Sequence, residues 1–184
     1  MDKKPLQLRY YGDPVLRRKA EPVAGIDPET RELIRAMFDC MYRERGIGLA
    51  APQVGIARRI FVLDVERDEG ERMKLALVNP EMKEKAGSVT GEEGCLSIPG
   101  IHEDVKRHAE VVFEGMNEQG ERVRVRADGL LARALQHELD HLDGILFIDR
   151  LSAIRRKLLE PKLARMQTGD AETPAPSPSA SPSF

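Results

Sequence analysis

The chain has 184 residues, 41% of them hydrophobic, with 29 Lys and Arg against 31 Asp and Glu for a formal net charge of −2. That length carries one domain with a sizeable core, and the near-balance of charge excludes a whole-molecule field that would draw in nucleic acid or an anionic membrane. Cys40 and Cys95 are too few for a secreted disulfide scaffold, the opening MDKKPLQLRYYGD lacks the apolar stretch of a signal peptide, and no run reaches transmembrane length; a cytoplasmic protein with no membrane partner is expected.

In chain order, Asp27 or Thr30 begins a helix whose apolar positions Leu33, Ile34, Met37, Phe38 and Met41 follow a 3.6 period, ending near Gly46. Cys40 falls inside it as a structural residue. Residues 58–65 read as a buried strand, 75–80 as another that stops at Pro80, and 81–89 as a more polar edge. EVVFEGM and ERVRVRA alternate apolar and polar side chains on either side of NEQG, Asn117 to Gly120, and predict a hairpin with Arg122, Arg124 and Arg126 on its solvated face. Asp128 as N-cap and Gly144 as stop bound the next helix, followed by a short strand at ILFID and a helix from Ser152 to Met166. From Thr168 the composition turns to proline and serine, which supply neither ladder hydrogen bonds nor apolar surface. Residues 1–167 are therefore expected to form one domain and 168–184 a disordered tail. The fold class is α+β, with antiparallel sheets packed around the 128–144 helix and further helices at the N- and C-terminal ends.

That central helix carries HELDH, His137 to His141. Two imidazoles one turn apart project from one helix face and can reach a single metal ion, while Glu138 stays close enough to handle a proton. Leu131, Leu135, Leu139 and Leu142 form one stripe of the helix; Leu130, Ala134, His137 and His141 form another beside it. One stripe fills a core and the other lines a site. Cys95 supplies what the histidines lack: a thiolate and two neutral imidazoles leave one tetrahedral position open, as a catalytic rather than a structural site does. A buried helix with two satisfied histidines and an inert cysteine at a bend is the plainer alternative, and the combination of the three ligands weighs against it.

Three motifs, GIGLAAPQVG from Gly46, EEGCLSIPG from Glu92 and QHELDHLDG from Gln136, stand in an order and at intervals that resemble the bacterial peptide deformylases. The resemblance runs from about Gly12 to the helix after Asp149. It implies metal-dependent hydrolysis of the formyl group of N-formylmethionyl peptides, with Glu138 as general acid/base and with the side-chain amide of Gln53 and the backbone amide of Leu96 as oxyanion donors. It also implies one divalent ion, iron(II) in the native protein, with zinc occupancy common; nickel and cobalt suit the same donors. Glycines 46 and 48 leave room for a close approach, so a peptide can add as a strand against Ile47 and Gly48. Helix geometry nominates Leu130, Arg133 and Ala134 for the methionine pocket, the Arg133 stem lining it while the charge reaches water. Glu93 and Gly94 join the substrate-binding set. Glu93 could instead hold the free nitrogen of a histidine ligand, and Asp140 could pair with Arg107. His102 and His108 read as polar surface residues rather than ligands, with His102 close to the substrate entrance.

Two other functions stay open at this level: an HExxH metallopeptidase, and a ribosome-binding module without catalysis. Metzincins carry a further histidine downstream of HExxH, and none follows His141 here. The resemblance also suggests that the basic C-terminal helix, with Arg155, Arg156, Lys157, Lys162 and Arg165 against Glu160, docks on the ribosome; a solvated helix face is the alternative.

Overall fold

A computed structural model of the protein describes residues 5–66 and 70–168. The elements in chain order are a 3-10 turn at Pro14–Arg17, α1 (Pro28–Arg43), β1 (Gly48–Ala50), a 3-10 turn at Ala51–Val54, β2 (Ile60–Glu66), β3 (Arg72–Ala86), β4 (Val89–Cys95), β5 (Ile98–Arg107), β6 (Glu110–Met116), β7 (Arg122–Ala127), α2 (Gly129–Leu142), a 3-10 turn at Phe147–Arg150, and α3 (Ala153–Thr168). The fold is α+β. An antiparallel sheet runs in the order β1-β2-β3-β6-β7, and β4 pairs with β5 in a second antiparallel sheet. Among the described residues no helix is long and apolar enough to cross a membrane.

Period-two alternation divides the larger sheet between two cores. Ile60, Val62, Ala76 and Val78 meet Ile34, Met37, Phe38, Cys40 and Met41 of α1 on one face. Phe61, Leu63, Val65, Leu77 and Phe113 meet Leu131, Ala134 and Leu135 of α2 on the other. α1 starts where Asp27 Oδ1 accepts from Thr30 N at 2.7 Å. Asp128 sits at the N-cap position of α2 with extended backbone, but its side chain makes no capping bond. The far end of α2 closes in a Schellman motif: Gly144, at φ 73°, donates to His141 O, and Ile145 N donates to Asp140 O.

Three expectations are corrected. Pro80 does not end a strand, and 75–80 and 81–89 are not separate elements, because β3 runs through the proline. Asn79 at φ 52° and register shifts between Val78 and Glu81 make a bulge, where a missing N–H breaks no ladder; β3 pairs with β2 before it and mainly with β6 beyond it. ILFID is not a strand. Asp149 Oδ2 accepts from Leu146 N at 2.9 Å and turns the chain, while Leu146, Phe147 and Ile148 bury together instead of alternating. Finally, α3 includes Thr168, one residue into the expected tail, the rest of which lies outside the described residues.

A third core holds the cysteine motif: Leu16, Cys95, Ile98, Ile101 and Val105 pack with Leu146, Phe147 and Ile148 and with Leu159 and Leu163 of α3. Leu163 is 4% exposed, whereas Leu158 on the same helix is 68% exposed. Leu163→Ala is therefore expected to lower the unfolding free energy by about 2–5 kcal/mol and Leu158→Ala by less than about 0.5 kcal/mol. Urea titrations of the two variants check this; equal losses would mean that α3 is not docked through Leu163.

Candidate metal centre

β4 delivers Cys95 at its last residue, and α2 delivers His137 and His141 one turn apart, so a strand end and a helix face converge. The ligand atoms of these three buried residues lie within 4.8 Å of one another, and Cys95 Sγ is 3.3 Å from His141 Nε2. Tetrahedral bonds of about 2.3 Å to sulfur and about 2.0–2.1 Å to nitrogen place such atoms about 3.5 Å apart, so this Cys/His cluster can coordinate a divalent metal ion. Among the described residues it is the only such cluster of His, Cys and acidic side chains; His102 and His108 are outside it.

Burial sets the protonation of the cluster. It pushes the Cys95 thiol up to about 12, against weaker opposing bonds from Ser97, and it pushes His141 well below the usual imidazole range, helped by the charge of His137. A neutral imidazole is the form that binds a cation, and a bound cation favours the thiolate by Coulomb attraction.

Glu138 is fully buried, and neither carboxylate oxygen has a hydrogen-bond partner among the described residues. Burial, and then the nearby charge of Glu93, raise its pKa well above the usual carboxylate value. Its space is made by Gly48, where a Cβ would stand 2.4 Å from Glu138 Oε1 and 2.8 Å from Leu63 Cδ2. At Gly46 a Cβ would stand 2.6 Å from Leu96 Cδ1. Neither glycine has a positive φ, so both serve close approach, and the groups that approach are the protein's own side chains.

Gln53, in the 3-10 turn after β1, is completely buried. Its Oε1 accepts from Ala50 N at 2.8 Å, which turns Nε2 toward Ser97 Oγ at 3.3 Å and Cys95 Sγ at 3.6 Å. Leu96 lies in the turn directly after Cys95. The N-terminal segment ties the two loops together: Arg9 N donates to Gln53 O at 2.7 Å and Tyr11 N to Ser97 O at 2.8 Å. Ile47 O accepts from Asp64 N, and β1 is the edge of its sheet, so that among the described residues one side of Gly48 has no neighbouring strand.

Around the histidines lies a set of buried charges. Glu93 Oε2 is 3.1 Å from His137 Nδ1, and both Glu93 oxygens accept from Arg107 at 2.9 Å. Burial pushes the Glu93 carboxyl up, but the bonds from Arg107 and His137 prevail and leave it at about 2. Arg107 also reaches Asp140 Oδ2, and Arg150 donates to both oxygens of the same carboxylate. Phe147 stacks on His137 with ring centroids 6.1 Å apart.

The pocket residues fare differently. Leu130 is half-buried against the α2 core, Ala134 is wholly within that core, and Gly94 is buried opposite His102. The expectation that Arg133 sends its charge to water is wrong. It is 7% exposed, and Nη2 donates to Gly91 O at 2.6 Å, Glu92 O at 3.2 Å and Glu93 Oε1 at 3.1 Å; acceptors along β4 satisfy it better than a snorkelling pose would. Ser97, Arg150 and the Arg9–Tyr11 segment do not stand out in the sequence as parts of the site. Only Ser97, inside a motif, carries any signal.

A family model described as polypeptide deformylase matches residues 5–157. The peptide deformylase of Halothermothrix orenii is 49% identical over 154 residues, covering 84% of this chain and 98% of that protein. That of Thermodesulfovibrio yellowstonii is 45% identical over 157 residues, covering 85% and 95%. Among solved structures, a peptide deformylase from Synechococcus elongatus in complex with actinonin superposes with a TM-score of 0.80 at 46% identity, covering 88% of this chain and 90% of that one. Similarity of this extent, over a chain that buries a cysteine and two histidines around one point, makes the protein a member of the polypeptide deformylase family.

Proposed function

We propose that the chain removes the formyl group from the N-terminal methionine of new polypeptides, releasing formate, with Cys95, His137 and His141 holding one divalent ion. The observation that carries this reading is the Glu138 carboxyl, buried without a hydrogen-bond partner among the described residues and beside three convergent ligand atoms. A buried acid left unsatisfied is costly to the fold, and a pKa raised above the usual carboxylate range suits a group that takes and returns a proton. A divalent ion there supplies Lewis acidity and lowers the pKa of water toward about 7. The donor set suits iron(II), which we take as the native ion, and equally zinc, nickel or cobalt.

Glu138 accepts the proton of the attacking water and delivers it to the departing amine. Gln53 Nε2 and the Leu96 amide donate to the oxyanion that forms as the formyl carbon is attacked; the bond from Ala50 N to Gln53 Oε1 holds the carboxamide in that orientation before substrate arrives. The open side of Gly48, with Ile47, receives the peptide backbone as an added strand, which tolerates many sequences beyond the first residue. Leu130, Ala134, the Arg133 stem and Gly94 border the methionine side chain, and Glu93 orients His137 from behind. Residues 1–167 act as one catalytic unit, and 168–184 take no part in the chemistry. Two buried, free cysteines suit a reducing cytoplasm. A metallopeptidase reading lacks a third histidine after His141, and a silent binding module has no use for an unsatisfied Glu138.

Ribosome docking through α3 is the second part of the proposal. Its support is a helix that presents basic side chains beside Ile154 and Leu158, 76% and 68% exposed. Arg155 and Arg156 are partly neutralised by Glu103 at 3.5 Å and Asp149 at 3.4 Å, so the helix is anchored as well as charged.

Glu138→Gln is expected to retain the metal and lose formate release by about 10²–10⁴-fold in kcat, since an amide keeps the shape but not the proton acceptor. Near-normal turnover at saturating substrate would remove Glu138 from the mechanism. Gly48→Ala should also keep its metal, but kcat should fall on the order of 10²-fold because the new Cβ displaces the Glu138 carboxylate; a metal assay beside the formate assay separates this from loss of the ion, and an unchanged kcat would contradict the packing. Replacing Arg155, Arg156 and Lys157 together by Ala should weaken co-sedimentation with ribosomes and flatten its salt dependence by about one log–log unit for each phosphate left without its cation. Equal binding by both proteins at every salt concentration would rule out α3 as the docking element.

A further inference from the structure

We infer that Arg150 is a positioning residue for the metal centre, acting through Asp140, Arg107 and Glu93 to hold His137 in its ligating orientation; this rests on the metal-centre reading above. The side chains form an alternating chain of charge. Arg150 grips Asp140 with two nitrogens, Nε at 2.7 Å from Oδ2 and Nη2 on Oδ1. Asp140 Oδ2 also accepts from Arg107 Nη1, Arg107 grips both oxygens of Glu93 at 2.9 Å, and Glu93 meets His137 Nδ1 at 3.1 Å. The Glu93, Arg107 and Asp140 side chains are 0%, 2% and 8% exposed, while Arg150 is 41% exposed. Arg150 thus closes the end of the chain that faces water.

Without Arg150, the single guanidinium of Arg107 faces two buried carboxylates, because Arg133 reaches Glu93 but is not bonded to Asp140. Asp140 then competes for Arg107 more strongly. Any shift of Arg107 toward Asp140 loosens the fork on Glu93, and Glu93 is the carboxylate that orients His137. Outer partners of metal-bound histidines commonly alter metal affinity by about 10–100-fold. Simple removal of charge works the other way, since taking a cation away from the neighbourhood of a dication strengthens its binding by Coulomb's law. The two effects therefore differ in sign.

Arg17 supplies a matched control. It grips Asp149 with two nitrogens, one of them at 3.2 Å, and is 39% exposed, but Asp149 connects to Leu146 N and Arg156 and not to a ligand. The experiment uses full-length Arg150→Met, Arg150→Lys and Arg17→Met. Zinc and cobalt dissociation constants are measured by chelator competition, ligand-field absorption is recorded for the cobalt forms, and thermal melts are recorded for the metal-free chains. Arg150→Met should raise both dissociation constants about 10–100-fold and change the cobalt spectrum, with Arg150→Lys between it and the unmodified protein because an ammonium cannot reproduce the two-pronged bond. Arg17→Met should bind metal no more weakly than the unmodified chain, and the metal-free melts of the two Met variants should be alike. Unchanged or tighter binding by Arg150→Met, equal weakening by Arg17→Met, or a metal-free melt of Arg150→Met well below that of Arg17→Met would each overturn the proposal. If the unmodified chain binds neither ion, the metal-centre reading falls and this one with it; normal binding by Arg150→Met removes the role of Arg150 alone.

Discussion

A carboxylate taken out of water survives as an anion only where fixed donors meet it, and at Glu93 they come from three directions. Arg107 takes both oxygens from β5, Arg133 takes one from α2, and His137 meets the other from the same helix. Glu93 lies on β4 two residues before Cys95, so one ionic cluster fixes the cysteine's strand to the histidines' helix. Apolar packing could not do this alone. Hydrophobic attraction is non-directional and leaves a strand free to slide, whereas a two-pronged guanidinium–carboxylate bond sets both distance and plane. Removing a single partner from such a buried set typically costs about 3–5 kcal/mol, which makes the cluster a point of rigidity in the site.

The same cluster accounts for the contrast between two buried glutamates. Glu93 is held ionised, at about 2, by Arg107 and His137 against the opposing effect of burial. Glu138 has no such partner; burial raises its pKa, and the negative charge of Glu93 raises it further. One carboxylate is held as an anion by fixed donors, and the other is left by its surroundings to favour the protonated form. Environments that push two like groups apart are how a protein divides such roles among identical side chains.

Much of this is legible in the residues. The 3.6-residue period over Leu33 to Met41 and the alternation on either side of NEQG identify elements directly, because each follows from local geometry. HELDH and Cys95 point to a cluster capable of holding a metal, because a metal demands particular donor atoms, and the structure brings Cys95, His137 and His141 together. What escapes depends on distant partners. Pro80 argues locally for a strand end, and only the pairing of β3 with two different strands shows that a bulge absorbs it. ILFID is short and apolar throughout, and periodicity cannot distinguish a strand from a buried turn in such a run. Arg133 resembles any long cation beside a pocket until the three acceptors that bind it are located. Nothing local marks Arg150, whose role is defined by a carboxylate ten positions earlier and an arginine on another strand.

The short segment around Arg9 and Tyr11 places a temporal demand on the protein. It leaves the ribosome before its partners do: its two amides bond to carbonyls in the later Gln53 and Cys95 loops, and Leu16 beside it packs with Leu163 in α3. Contacts between residues so far apart in the chain form only after a large loop closes, and folds dominated by such contacts assemble slowly. Growth by successive stable fragments is therefore closed to this site: a nascent chain halted before α2 lacks both histidines, and one halted before α3 leaves the core around Cys95 open to solvent. Competence waits for one late step, when α3 seals the core that Leu16 and the Arg9–Tyr11 segment border.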